Sequence, residues 1–86
     1  MHELALALEI CRMAAERLDP AQHRRLVAVG VEVGDDGGIE PDNLAFCLEA
    51  LLSQPPFGQA KPVLTRVAGD TLRLEYLEVD DDDPDD

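Results

Sequence analysis

The segment LVAVGVEVG at residues 26–34 constrains the fold of this chain more than any other stretch. Every second residue in it is a valine, so four valine side chains share one face of an extended strand: Val27, Val29, Val31 and Val33. The opposite face is small in its middle, where Gly30 indicates a bulge or a close backbone approach. The segment therefore predicts a strand with one continuous apolar face.

Helical patterns lie on both sides of this strand. Before it, apolar residues at three- and four-residue spacing predict an amphipathic helix that ends ahead of Pro20; they are Leu4, Ala7, Leu8, Cys11, Ala14, Ala15 and Leu18. After it, Pro41 suits the first turn of a second helix, whose predicted apolar stripe is Leu44, Cys47, Leu48 and Leu51. Each helix thus has one face that packs against a neighbouring layer.

The last third of the chain predicts two further strands. The stretches VLTRV and TLRLEYLEVD are separated by AGD, which is typical of a tight hairpin turn. Leu72, Leu74 and Tyr76 share one face of the final strand. Leu77 and Val79 fall on the opposite face, so the strand changes phase or twists. The order helix–strand–helix–strand–strand predicts an α/β (α+β) fold, with two helices packed on a small three-stranded mixed sheet.

Length and charge predict one domain followed by a tail. A chain of 86 residues has room for a single small domain. Its last segment, DDDDPDD, contains six aspartates and no apolar side chain, and it supplies half of the formal net charge of −12. We therefore expect one domain over residues 1–79 and a disordered acidic tail over residues 80–86.

The composition disfavours several classes of function. The seven basic residues are outnumbered and scattered, which disfavours nucleic acid as a partner. No stretch approaches the roughly 20 apolar residues of a membrane span, and the first residues lack the pattern of a signal peptide, so we expect a cytoplasmic protein. The chain has no Ser/His/Asp set, no glycine-rich phosphate loop and no defined pair of catalytic carboxylates, so we expect that it is not an enzyme.

The first three residues, Met-His-Glu, carry the clearest candidate chemistry. The Met1 amine, the His2 backbone nitrogen and His2 Nδ1 can reach one metal ion and close two fused chelate rings. Ni(II) and Cu(II), which favour square-planar nitrogen coordination, suit this donor set. Glu3 can add a fourth donor, either its carboxylate or its backbone nitrogen. The alternative is that His2 is an ordinary surface residue at a frayed end.

Three stretches follow one another along the chain: MHELALALEI, VEVGDDGGIEPDNLAFCLEAL and LRLEYLEVD. Together they resemble the HypA/HybF family of nickel metallochaperones, which help to build [NiFe]-hydrogenases and sometimes urease, and the resemblance covers nearly all of residues 1–79. It implies a nickel-binding-type domain that holds Ni(II) at Met1, His2 and Glu3 and delivers it during maturation of [NiFe]-hydrogenase or urease. The implied partner is a hydrogenase large subunit or a nickel-handling GTPase, and the chain is expected to be a monomer or a weak dimer.

The chain departs from this family at one place. The family carries a zinc domain with two CxxC pairs between its last two strands, where this chain has AGD. The chain contains no CxxC, and Cys11 and Cys47 lie in different predicted helices, so no tetrahedral thiolate zinc site is expected. We expect both cysteines to be small core side chains.

The departure leaves a second hypothesis open. The chain would then be a metal-free protein-interaction module that keeps the fold without metal delivery, and a capped Met1 amine would leave its function intact. His23 is predicted to be a solvated loop residue rather than an additional ligand. Asp35, Asp36 and Glu40 are explained by a turn and an acidic helix start, since they lack the spacing of a calcium loop.

Overall fold

The computed structural model describes residues 2–80, so that Met1 and residues 81–86 lie outside the described part of the chain. Its elements follow the predicted order with one addition, the short helix α2. They are α1 (Glu3–Arg17), α2 (Pro20–His23), β1 (Leu26–Gly34), α3 (Pro41–Leu52), β2 (Lys61–Val67) and β3 (Leu72–Val79).

Strand β1 lies in the centre of a three-stranded sheet of order β2-β1-β3. It pairs in parallel with β2 and antiparallel with β3, so the sheet is mixed. One face of β1 contacts both long helices through a shared core, whose buried members include Ala7, Ile10, Ala14, Val29, Val31, Val33, Leu44, Leu48 and Leu52. The predicted α+β architecture, two helices packed on a small mixed sheet, is confirmed.

The predicted hairpin between the last two strands is wrong. Strands β2 and β3 flank β1 instead of pairing with each other, and their connection passes over the end of β1. Three backbone hydrogen bonds hold it there: the Gly34 N–H to the Thr71 carbonyl at 2.6 Å, and those of Asp35 and Asp36 to Val67 and Gly69. Because β1 is the most apolar strand, pairing both edge strands with it buries β1 on two sides.

The change of phase in the last strand is a β-bulge. Gly30 pairs with Tyr76 but Val31 pairs with Leu74, so Glu75 is an extra residue on β3. The bulge places Tyr76 on the outer face of the sheet, directly over Gly30. The prediction that Tyr76 shares a face with Leu72 and Leu74 is therefore wrong, whereas the predicted phase change is real.

Helix α1 is rotated relative to the predicted apolar stripe. Its buried residues are Ala7, Ile10 and Ala14, while Leu4 and Leu8 are 53% and 52% exposed. Ile10 supplies the large core side chain, and the two small alanines suit the close packing of α1 on α3. Leu4 and Leu8 lie roughly 90° and 130° around the helix from the centre of this buried stripe, so they are only partly covered.

The connection from α1 to β1 contains the short helix α2, which begins at Pro20. The Asp19 N–H donates to Gln22 Oε1 at 2.9 Å, the Gln22 N–H donates to the Asp19 carbonyl at 2.8 Å, and Pro20 takes the first helical position. At the far end of the domain, the Asp80 N–H donates to the Arg25 carbonyl at 2.8 Å. The remaining residues of the predicted tail, 81–86, lie outside the described residues. No helix within residues 2–80 is long and apolar enough to cross a membrane.

Candidate metal centre

His2 is the residue that leads into helix α1. Its backbone is extended, with φ −90° and ψ 114°, and its carbonyl accepts the Leu6 N–H at 3.3 Å. The imidazole makes no capping hydrogen bond to the helix, and the residue is exposed. The sequence thus places an imidazole at the surface, one peptide away from the first residue of the chain.

Glu3, the first residue of α1, has its carboxylate fully engaged. Oε2 accepts the Glu40 N–H at 3.0 Å, and Oε1 accepts Nδ2 of Asn43 at 3.0 Å. These partners lie at the start of α3, about 40 residues further along the chain. Glu3 therefore joins the first turn of α1 to the first turn of α3.

This contact follows from the topology. Strand β1 ends at Gly34 and α3 begins at Pro41, so α3 starts at the end of the sheet where β1 finishes. Helix α1 starts at the same end, because its Glu3 contacts Glu40. The two helices then run side by side, and their unpaired N-terminal amides point the same way.

The electrostatics at this end favour an ionised Glu3. The Glu40 N–H and the N–H of Glu3 itself hold the pKa of this carboxyl below its ordinary value of 4.5, and Asn43 adds to the effect. The Glu40 side chain accepts the Asp42 N–H at 3.2 Å, so a second carboxylate caps α3. Anionic groups at helix N-termini are stabilised by the helix dipoles.

His23, the second histidine, lies far from this end of the molecule. Its Nε2–H donates to the Ala15 carbonyl at 2.9 Å, and its ring meets the edge of Phe57 at a centroid distance of 5.7 Å. Ala15 is twelve residues along α1 from Glu3, or roughly 18 Å at the rise of an α-helix. The prediction of a solvated His23 is wrong, because the partly buried ring contacts both α1 and the loop before β2.

The other candidate ligands are dispersed. Cys11 and Cys47 are both free thiols, partly buried and packed against the core, as predicted for small core side chains. Asp35 pairs with Arg66 at 2.8 Å. Within residues 2–80 no group of three or more His, Cys, Asp and Glu side chains is arranged to hold a metal ion. His2 and Glu3 are in the described region, and Met1 is outside it.

A sequence model of the family described as "Hydrogenase/urease nickel incorporation, metallochaperone, hypA" matches residues 1–79. The chain belongs to the HypA family.

HypA-family relatives from several bacteria are similar to this chain. The hydrogenase maturation factor HypA of Geobacter metallireducens is 36% identical over 72 residues, which cover 80% of this chain and 60% of that protein. The factor of Aeromonas hydrophila is 38% identical over 50 residues, 58% of this chain and 44% of that protein. The factor of Geobacter sulfurreducens is 33% identical over 72 residues, 80% and 60% respectively. The chain spans 60% or less of the length of these HypA relatives.

Sequence reasoning missed part of the surroundings of the candidate site in this HypA-family chain. It placed Glu3 at the terminus and treated Glu40 as part of a helix start, but it did not bring them together, and it gave Asn43 no role. The topology contained the signal: two helices that flank the same strand through short connections start at the same end of the sheet. That reasoning predicts that the first turns of α1 and α3 are neighbours.

Proposed function

We propose that this HypA-family chain binds Ni(II) at Met1, His2 and Glu3 and delivers it during maturation of [NiFe]-hydrogenase or urease. The observation that carries the proposal is the exposed His2 imidazole, which stands directly before α1 and takes no part in capping it. The family's description as a nickel-incorporation metallochaperone supports the choice of metal.

The donor set is made of nitrogens. The Met1 amine, the His2 amide nitrogen and His2 Nδ1 supply three, and nickel displaces the amide proton. For the fourth we favour the Glu3 backbone nitrogen, because the Glu3 carboxylate is already bonded to Glu40 and Asn43. Glu3 is the first helical residue, so its N–H has no acceptor in the preceding turn, and nickel would replace the contact of this N–H with the residue's own carboxylate. The amine, the two backbone amides and the imidazole bind nickel only after losing a proton, so nickel affinity falls as the pH is lowered.

Delivery suits a site of this kind. A few ligands at an exposed end can be taken over one by one by an acceptor, and residues 2–80 form no enclosed pocket that would retain the ion. The proposed acceptor is a hydrogenase large subunit or a nickel-handling GTPase. We propose a cytoplasmic, non-enzymatic carrier, monomeric or weakly dimeric, with no zinc site of its own.

The alternative is a metal-free interaction module. The observation in its favour is a set of exposed apolar side chains on the helices, with Leu4 and Leu8 more than half exposed and Phe46 72% exposed. Exposed apolar side chains mark a contact surface where they form one continuous patch. This function would survive the loss of the His2 imidazole, whereas the nickel function would not.

The test is a calorimetric titration of the full chain, with a free Met1 amine, with Ni(II). We expect wild type to bind one equivalent that His2→Ala loses. The matched control is His23→Ala, which removes the other imidazole at the far end of α1 and should leave that equivalent in place. Weak binding to the aspartates of residues 80–86 is common to all three proteins and cancels in the comparison.

Two results would count against the proposal. Equal binding by wild type and His2→Ala would mean that the imidazole is not a ligand. Loss of the tight equivalent in His23→Ala as well as in His2→Ala, with all proteins folded by circular dichroism, would mean that binding does not report on the N-terminal site. Either result would favour the interaction module.

A further inference from the structure

We propose that Asn43 is a positioning residue for the nickel site, which it serves by anchoring the ligand-bearing terminus on helix α3 through the Glu3 carboxylate. The inference rests on the proposed function, and it assigns to α3 a role in a site whose ligands all lie in the first three residues. Asn43 itself contacts no metal.

The anchor is a pair of hydrogen bonds between two helices. Asn43 Nδ2 and the Glu40 N–H each donate to one oxygen of Glu3, both at 3.0 Å. The carboxylate is thus held at both oxygens, which fixes its plane as well as its position. Because Glu3 follows His2 directly, the backbone nitrogens proposed as nickel donors stand next to this fixed point.

Little else in the described residues holds the terminus. The His2 imidazole forms no cap, and the carbonyl of His2 makes only a long bond of 3.3 Å to the Leu6 N–H. A chain end without further contacts frays. The Glu3 side-chain contacts therefore restrain residues 2 and 3 in addition to the first turn of α1.

Pre-ordering of the terminus should be visible as nickel affinity. Ligands that are already held in place lose less conformational entropy on binding, so an anchored site binds more tightly than a frayed one with the same donors. One of the two anchoring donors is a backbone N–H and the other is the Asn43 amide. Asn43 is exposed on the first turn of α3, so its side chain can be changed without disturbing the core.

The first experiment compares Ni(II) affinity in full-chain variants. We expect Asn43→Ala to bind about tenfold more weakly than wild type, since the metal then has to order about one additional residue. The matched control is Gln59→Ala, which removes another exposed amide, bonded to the Arg24 carbonyl at 3.3 Å. Gln59 does not contact the terminus, so its loss should leave the affinity unchanged. Thermal unfolding midpoints measured in parallel show whether either variant is merely destabilised.

The second experiment exchanges donor and acceptor. Asn43→Asp alone sets two carboxylates against each other with no donor between them, so it should weaken nickel binding. Glu3→Gln combined with Asn43→Asp restores the bond in reverse, because Gln Nε2 donates to Asp while Gln Oε1 still accepts the Glu40 N–H. The double variant has the net charge of wild type, and aspartate is favoured in a first helical turn. We expect it to regain wild-type affinity within about twofold, a difference of about 0.4 kcal/mol.

Each result separates the positioning role from the other possibilities. Wild-type affinity in Asn43→Ala would overturn the proposal. A double variant as weak as Asn43→Asp alone would also overturn it, because restoring the bond would then have no effect on nickel affinity.

Hydrogen exchange of the Leu6 amide provides a readout without metal. Its N–H bonds to the His2 carbonyl, so it reports order in the first turn. Faster exchange in Asn43→Ala supports the anchor, and unchanged exchange contradicts it. If wild type lacked His2-dependent nickel binding, the proposed function would fail, and this exchange rate would still decide whether Asn43 anchors the terminus.

Discussion

At the scale of single residues, burial has its clearest effect on the pKa of the Cys11 thiol. It lies partly buried on α1 and packs against the core, and burial raises its pKa from 9.0 to about 11. The pKa of a thiol sets its reactivity, because the thiolate is the nucleophile.

We predict that Cys11 is alkylated slowly in the native protein. Near pH 8, a pKa two units above 9.0 lowers the thiolate fraction about a hundredfold. The measurement is the rate of iodoacetamide labelling in a Cys47→Ser variant, compared with the same variant unfolded in urea. Labelling at equal rates in both states would contradict the assignment.

The same shift has a consequence for stability. Below pH 9 the Cys11 thiol is neutral in both the folded and the unfolded chain, so it does not affect stability. Above pH 9 the unfolded chain loses this proton while the folded chain keeps it, which favours unfolding. Stability is therefore lost as the pH rises through the window from 9 to 11. The Cys11→Ser variant should lack this part of the alkaline decline.

Residue identity alone predicted some contacts and not others. The half-buried cysteines followed from their positions on helical stripes. The contacts of His23 with Ala15 and Phe57 were not predicted, because these residues are distant from one another in sequence and only the packed fold brings them together. The contact between Glu3 and Asn43 has the same origin.

At the scale of elements, strand β1 contains two glycines, Gly30 and Gly34, that are in close contact with different neighbours. A Cβ on Gly34 would overlap the carbonyl of Gly69 and lie 2.6 Å from the Thr71 nitrogen, both in the backbone that crosses the end of the strand. A Cβ on Gly30 would overlap the ring of Tyr76. The first obstacle is fixed by three hydrogen bonds, whereas the second is a half-exposed side chain.

We predict that Gly34→Ala is much more destabilising than Gly30→Ala. The free energy of unfolding should fall by about 3 kcal/mol for Gly34→Ala and by about 1 kcal/mol or less for Gly30→Ala, since Tyr76 can rotate into solvent. Urea denaturation measures both. The double variant Gly30→Ala/Tyr76→Ala should be no less stable than Tyr76→Ala alone. Equal losses for Gly30→Ala and Gly34→Ala would contradict this account of the crossing.

Secondary structure was easier to predict than strand pairing. The valine alternation, the helix stripes and the prolines are local signals, and they placed β1, α1 and α3 correctly. Pairing of β2 and β3 with β1 depends on which strand gains most from burial. The AGD turn does not reveal this pairing, because it is as compatible with a hairpin as with a connection that crosses the end of β1. The bulge at Glu75 appeared in the sequence only as a phase change, and the structure is needed to show that it turns Tyr76 outward.

At the scale of the whole molecule, the fold brings the N-terminal ends of two helices together and leaves the imidazole of His2 beside them. The resemblance to HypA was visible in the order of three stretches, and the family match over residues 1–79 confirms it. The nickel site itself stays a prediction, because one of its proposed donors, the Met1 amine, lies outside the described residues.

The Met1 amine therefore gives the most direct test of nickel binding. The measurement is a Ni(II) titration, followed by absorbance, of two semisynthetic chains that differ only by an acetyl group on this amine. We predict that the free chain develops a square-planar absorbance band with one equivalent of nickel and that the acetylated chain does not. The same band at the same affinity in both chains would contradict the proposed donor set and leave the metal-free interaction module as the better account.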